Sequence, residues 1–98
     1  MPNIRVQVVR FVDEEPQPGI VECQFRDAQG QVHSILDKVP MFTEAVLWSD
    51  SEYPQSGSVE CRMLGGVPVS GGNLSRIRTL GSTNGESEFL VSNADLSY

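Results

Sequence analysis

Residues 14–23 read Glu14-Glu15-Pro16-Gln17-Pro18-Gly19-Ile20-Val21-Glu22-Cys23, and residues 52–61 read Glu52-Tyr53-Pro54-Gln55-Ser56-Gly57-Ser58-Val59-Glu60-Cys61. The two stretches align at a constant offset of 38 residues, with a glutamate, Pro-Gln, Gly and Val-Glu-Cys at matching places. Proline lacks an amide donor and fixes φ, so it ends or edges a strand. The glycine that follows supplies a turn conformation costly to other residues. The chain then alternates. Val21, Cys23 and Phe25 share one face, opposite Glu22, Gln24 and Arg26; Val59, Cys61 and Met63 repeat the pattern, opposite Ser58, Glu60 and Arg62. Period-two alternation marks a half-buried strand. Each copy therefore reads as an acidic turn feeding a core strand. Two copies are too few for a solenoid, which needs about three, so they are expected as equivalent strands of one closed or sandwiched sheet.

Ninety-eight residues form a single domain, 1–98, large enough to fold without a metal or disulfides. No apolar run is long enough for a membrane-spanning helix. The start, Met1-Pro2-Asn3-Ile4-Arg5-Val6, lacks a basic segment followed by a long apolar one, so no signal peptide is expected and the protein reads as cytoplasmic. Thirteen acids against seven bases give a formal charge of −6. That disfavours nucleic acid and anionic membranes, both of which need clustered Lys and Arg, and suits a cationic partner. Cys23 and Cys61 fall on the core faces and are expected as buried, reduced thiols. A bridge would require the two strands to be adjacent and in step.

Outward from the repeat, Ile4 to Val12 is the first strand, with a phase break at Val9 that suggests a bulge. Strand two runs from Ile20 to Arg26. Asp27-Ala28-Gln29-Gly30 closes a hairpin with strand three, Gln31 to Lys38. A four-residue loop sets Phe25 opposite Val32, and a three-residue bulged loop sets it opposite His33. Val39 to Thr43 is a connection, and Glu44 to Trp48 is either a helical turn capped by Thr43 or a short strand. The second repeat unit occupies Asp50 to Met63. The glycine pairs of Gly65 to Asn73 read as a mobile loop or irregular edge. Leu74 to Leu80 is a strand with Arg76 and Arg78 on one face. Asn84-Gly85 is the strongest hairpin signal, pairing that strand with Ser87 to Ser92. Asn93 to Tyr98 reads as a cap or frayed end. The sum is an all-β barrel or two-layer sandwich of about six to seven antiparallel strands, SH3/OB-like or Greek-key.

The segments PQPGIVECQFRDAQG (Pro16 to Gly30), DKVPMFT (Asp37 to Thr43), SEYPQSGSVEC (Ser51 to Cys61) and STNGESEFLV (Ser82 to Val91) resemble those of a group of small uncharacterised bacterial all-β proteins. The resemblance covers most of the chain. It implies a bacterial, cytosolic, stand-alone β domain and brings no catalytic residues.

Chemistry has four candidate locations. His33, the only histidine, has Asp37 four residues on and on the same face of a regular strand, but Ser34 points the other way and no nucleophile-elbow pattern exists. The glycine pairs lack the Gly-Lys-Ser/Thr of a phosphate loop. Asp13-Glu14-Glu15 and Asp50-Ser51-Glu52 would converge if the repeat units are neighbours, yet neither has the alternate spacing of a calcium loop. No metal or cofactor is expected. The same two turns, with Trp48 and Tyr53 beside the second, combine charge with aromatic anchors, the composition of an interface.

The expectation is therefore a non-enzymatic, acidic protein-binding module, for example an immunity or inhibitor protein that blocks a basic partner. Asp13, Glu14, Glu15, Asp50 and Glu52 would carry the charge, and Trp48 and Tyr53 would anchor. The alternative is a small-molecule-binding β-barrel with a cavity near His33, Trp48 and the glycine-rich loop. A hydrolase using His33 and Asp37 ranks third.

Overall fold

β1 (Asn3–Asp13) is the centre of the larger of two antiparallel sheets in a computed structural model that describes residues 2–64 and 73–98. Ile4, Val6 and Val8 point into the core while Arg5 and Gln7 stay in solvent. The phase break at Val9 is a bulge: Val8 lies opposite Cys23 and Arg10 opposite Glu22, leaving Val9 unmatched. The slip brings Phe11 round to the core face, opposite Val21. Without it, Arg10 would take that place.

β2 (Ile20–Arg26) and β4 (Gln55–Glu60) carry the two repeat copies and flank β1 on either side. β3 (Val32–Lys38) pairs with the outside of β2. The order β3-β2-β1-β4 is the Greek-key arrangement, in which the fourth strand returns by a long connection beside the first. Of the two hairpin registers open in the sequence, Phe25 faces His33. The copies are not level. Val21 sits opposite Phe11, but Val59 sits opposite Ile4. Cys23 pairs with Val8, whereas the Cys61 amide donates to the Pro2 carbonyl, 3.0 Å away. Those positions are separated by about 20 Å of strand, and both thiols are free.

At Cys61 the chain leaves the first sheet. β5 (Arg62–Met63), β6 (Leu74–Arg78) and β7 (Glu88–Ser92) form the second, in the order β5-β6-β7. The exit ends the alternation expected through Met63, which is exposed. The glycine pairs of Gly65 to Gly72 lie outside the described residues. Beyond Arg78 the β6–β7 pairing loosens into a long loop. Asn84-Gly85 turns inside it, where the Gly85 amide, at φ +87°, donates to the Ser82 carbonyl. The tail is not frayed. Ser92 caps a short 3-10 turn at Asn93–Asp95, and β8 (Leu96–Ser97) takes the edge of β1 that β2 leaves open. The fold is thus all-β and antiparallel, with eight strands among the described residues where six or seven are expected. Both sheets are open, and among the described residues no ladder closes them into a barrel, one of the two expected forms.

One core serves both sheets. Ile77, Phe89 and Val91 of the second join Val6, Val21 and Ile35 of the first. Phe25 and Phe89 meet edge to face with centroids 5.0 Å apart, worth about 0.5–1.5 kcal/mol beyond the area buried.

The link from β3 to β4 turns through a 3-10 segment at Val39–Met41, with Pro40 in its first turn where a missing amide costs nothing. Glu44 to Trp48 forms neither the helical turn nor the strand allowed by the sequence; Thr43 Oγ1 accepts the Ala45 amide and the segment runs on as bends. The link then crosses β4 so closely that the Ser58 amide donates to the Phe42 carbonyl at 2.8 Å. A Cβ on Gly57 would lie 2.9 Å from that oxygen. Gly57 is therefore required by close approach within a strand and not by a turn. Its counterpart Gly19, at φ +116°, does sit in the turn, with the Phe11 ring over it.

Candidate partner-binding groove

The first acidic turn, Asp13 to Gly19, is tied by its own backbone. Asp13 Oδ1 accepts the Glu15 amide, Gln17 Nε2 donates to the Glu14 carbonyl, and the Gly19 amide donates to the Pro16 carbonyl. These bonds leave the carboxylates of Glu14 and Glu15 in solvent. The second turn is organised around the backbone of Trp48. Its amide donates to Ser51 Oγ at 2.9 Å. Its carbonyl accepts the Ser51 amide at 3.1 Å and the Tyr53 hydroxyl at 2.7 Å. Trp48 itself is 64% exposed. A large aromatic ring is thus held by its main chain and presented to water.

The two turns meet. Glu14 and Asp50 line one groove of about 580 Å³ together with Phe11, Gln17, Pro18, Trp48 and Ser49. Asp13, Glu15 and Glu52 are exposed nearby in the chain but do not wall the groove. Tyr53 corrects the expectation of a second exposed anchor. It is half-buried against the core, and its hydroxyl fixes Trp48 from behind. Burial pushes its phenol above the ordinary value, and the charge of Asp50 pushes the same way, so it remains a donor. Trp48 also borders a second hollow of about 280 Å³, between Pro18, Pro40 and Val46.

His33 lies elsewhere, at the turn end of the β2–β3 hairpin, whereas Trp48 stands near the other end, where Ile20 pairs with Lys38. Among the described residues His33 and Trp48 thus stand at opposite ends of the hairpin, and the glycine-rich loop expected to complete a cavity with them lies outside the described residues. The expected His33–Asp37 pair does not form either: Asp37 Oδ1 accepts the Lys38 amide. The side chain of His33 is 1% exposed and its Nε2 lies 2.8 Å from Asp27 Oδ2. Burial alone would raise the Asp27 carboxyl, but the bond to His33 and the amides of Gln31 and Gln29 outweigh it and hold the group below its usual value. In the sequence Asp27 shows only as the first residue of a turn. The available signal was its place two and four residues before Gln29 and Gln31, the spacing of a carboxylate that collects turn amides.

Among the described residues no group of three His, Cys, Asp or Glu side chains is placed to hold a metal ion, and no helix is long and apolar enough to cross a membrane. In comparisons with known proteins, no family model, curated protein or solved structure matches the chain.

Proposed function

We propose that the chain is a non-enzymatic binding module that takes a basic segment of a partner protein into the groove between Glu14, Asp50 and Trp48, as an immunity or inhibitor protein would. The observation that carries this reading is the convergence of both acidic turns on an exposed tryptophan whose backbone is fixed. A lysine or arginine entering there meets two carboxylates and an indole face. The cation–π contribution is about 0.5–1 kcal/mol when exposed and about 2 when water is excluded. Fixing Trp48 beforehand removes part of the ordering cost of binding. The formal charge of −6 would raise the encounter rate with a cationic surface. Two free, buried thiols suit a reducing compartment, in keeping with a cytoplasmic role.

The test is a pull-down with the tagged protein from lysate, eluted in a salt gradient, followed by kinetics with the protein recovered. A basic protein whose on-rate falls on Glu14→Lys and Asp50→Lys, and whose off-rate rises on Trp48→Ala, supports the reading. Binding indifferent to all three substitutions and to salt refutes it. A second reading, a small organic cation as ligand, is favoured by the groove's volume, which falls in the range of about 300–1,000 Å³ usual for ligand sites. Saturable quenching of Trp48 fluorescence by such a cation would select it.

A further inference from the structure

Trp48 borders two hollows of different character. One is the acidic groove, with Glu14, Asp50 and Phe11 in its wall. The other is the hollow of about 280 Å³, whose wall includes Pro40 and Val46. Gln17, Pro18 and Trp48 line both, so the two are continuous. Among the described residues neither lining contains a lysine or arginine, while Glu14, Asp50 and Glu44 are exposed acids. No base of the lining neutralises them. The walls come from the first acidic turn and the β3–β4 link; Phe11 alone belongs to a strand.

Each of these facts narrows the occupant. Carboxylates without a neighbouring base require a cation. Arginine fits better than lysine, because its planar guanidinium stacks on an aromatic face while its fork of donors reaches carboxylates. The hollow on the other side of Trp48 takes an uncharged side chain of the same segment. The segment's backbone finds no ladder here, since the walls are loops and strand addition needs an open sheet edge. An amphipathic helix needs a continuous apolar stripe to lie along, and the apolar part of this surface stops at Trp48, where the acidic groove begins. A polyproline II segment needs neither. It has no internal hydrogen bonds, keeps its backbone solvated, and docks on aromatic-lined grooves with little ordering left to lose.

We propose that the partner segment is extended and proline-rich. Its arginine lies between Glu14 and Asp50 against Trp48, and a proline with an aliphatic neighbour fills the hollow between Pro18, Pro40 and Val46. This rests on the basic-segment reading and names the class of segment.

The test is a titration of the full chain at low salt, followed by the fluorescence of Trp48, its only tryptophan. The probes are three short peptides free of tryptophan and tyrosine. The first is an arginine followed by a run of proline and leucine. The second keeps the arginine and replaces the run by glycine and serine. The third keeps the run and replaces the arginine by glutamine. The first should quench saturably, and the other two should bind roughly tenfold or more weakly. Val46→Asn should weaken the first peptide several-fold and leave the second unchanged. Glu14→Lys/Asp50→Lys should weaken both arginine peptides. Equal binding of the first and second peptides, lost on Glu14→Lys/Asp50→Lys, overturns the proline-rich class and leaves the basic-segment reading standing. A first peptide indifferent to Val46→Asn does the same. A third peptide that binds as tightly as the first, or no binding by any of them up to about 1 mM, overturns both.

Discussion

Nε2 of His33 lies 2.8 Å from Oδ2 of Asp27, across the β2–β3 turn and six residues apart in sequence. The other oxygen, Oδ1, accepts the amides of Gln29 and Gln31 at 2.9 Å each. One carboxylate thus closes the turn and holds a buried imidazole. Phe25 and Phe89 pack on that ring, with centroids 5.4 and 4.6 Å away. Asp27→Ala would strand the buried imidazole donor, while the amides of the exposed Gln29 and Gln31 would turn to water. The expected loss is about 1–3 kcal/mol, the cost of one buried group left unsatisfied. A urea titration measures it as a lower midpoint at unchanged slope; an unmoved midpoint would mean that the turn is held by other groups.

The same carboxylate sets an acid limit. Asp27 has a lower pKa folded than unfolded, so its contribution to stability is present above the unfolded value of about 3.9. The contribution is lost as pH falls through the still lower folded value. Glu22 acts in the same direction, held down chiefly by its hydrogen bond from Arg10 Nε against a smaller opposing effect of burial. The Arg10 side chain is largely in solvent, so Glu22 contributes less. Denaturation midpoints followed downward from neutral pH should drop below pH of about 4. Asp27→Asn should flatten that drop more than Glu22→Gln. Equal slopes in all three proteins would assign the acid sensitivity elsewhere.

What was legible in the sequence was what period and turn chemistry decide. Val21, Cys23 and Phe25 announced a core face, and the extra residue at Val9 announced a bulge, because both are local. The sheet change at Cys61 was not legible. Arg62 and Met63 continue the alternation perfectly well, and only the long-range pairing of Met63 with Ile77 draws them into a different sheet. β8 was missed for a related reason: Leu96 alone gives no period, and the strand exists because β2 covers only part of β1. The acidic turns and Trp48 were recognisable as an unusual combination. Their convergence, which the sequence makes conditional on neighbouring repeat units, was not decided there, because the two repeat strands flank β1 at different heights. Glu14 meets Asp50 through the β3–β4 link and not through strand symmetry.

Gly57 separates close approach from flexibility. An added Cβ would sit 2.9 Å from the Phe42 carbonyl, a backbone atom that is itself engaged by Ser58. Neither partner can turn away. Gly57→Ala should cost about 1–3 kcal/mol, the usual range for overpacking. Gly81→Ala meets nothing within 4 Å and removes freedom only from the unfolded chain, so it should be neutral or stabilise by up to about 1 kcal/mol. Thermal melts of the two variants decide the matter; similar shifts in both would show that the Phe42 crossing can yield.

Tyr53 is a test of whether Trp48 is held in place. Tyr53→Phe keeps the ring against the core and removes the hydroxyl's bond to the Trp48 carbonyl, along with its contact to the Ser51 side chain. The expected stability loss is about 1 kcal/mol, that of one hydrogen bond. The more telling effect concerns Trp48, the only tryptophan in the chain. With one of its three backbone tethers gone, its fluorescence anisotropy should decay faster on the nanosecond scale. An unchanged decay would show that the Ser51 bonds suffice to fix the loop.

The two cysteines should differ in reactivity, though they occupy matching places in the repeat. Cys23 lies opposite Val8 in the middle of the sheet, with no exposed surface, and burial together with the charge of Glu22 pushes its thiol up to about 12. Near neutral pH almost none of it is thiolate, the reactive form. Cys61 is also raised by burial, with Glu60 adding to it, but it walls a hollow beside Arg62. An aromatic disulfide reagent should therefore label Cys61 first. Cys23 should follow only at the rate of global opening, and Cys61→Ala should abolish the faster phase. Mild oxidation of the folded monomer should form no internal bridge, because about 20 Å of strand separates the two positions. Rapid labelling of Cys23 in native buffer would mean that β2 detaches from β1 well below the global unfolding free energy.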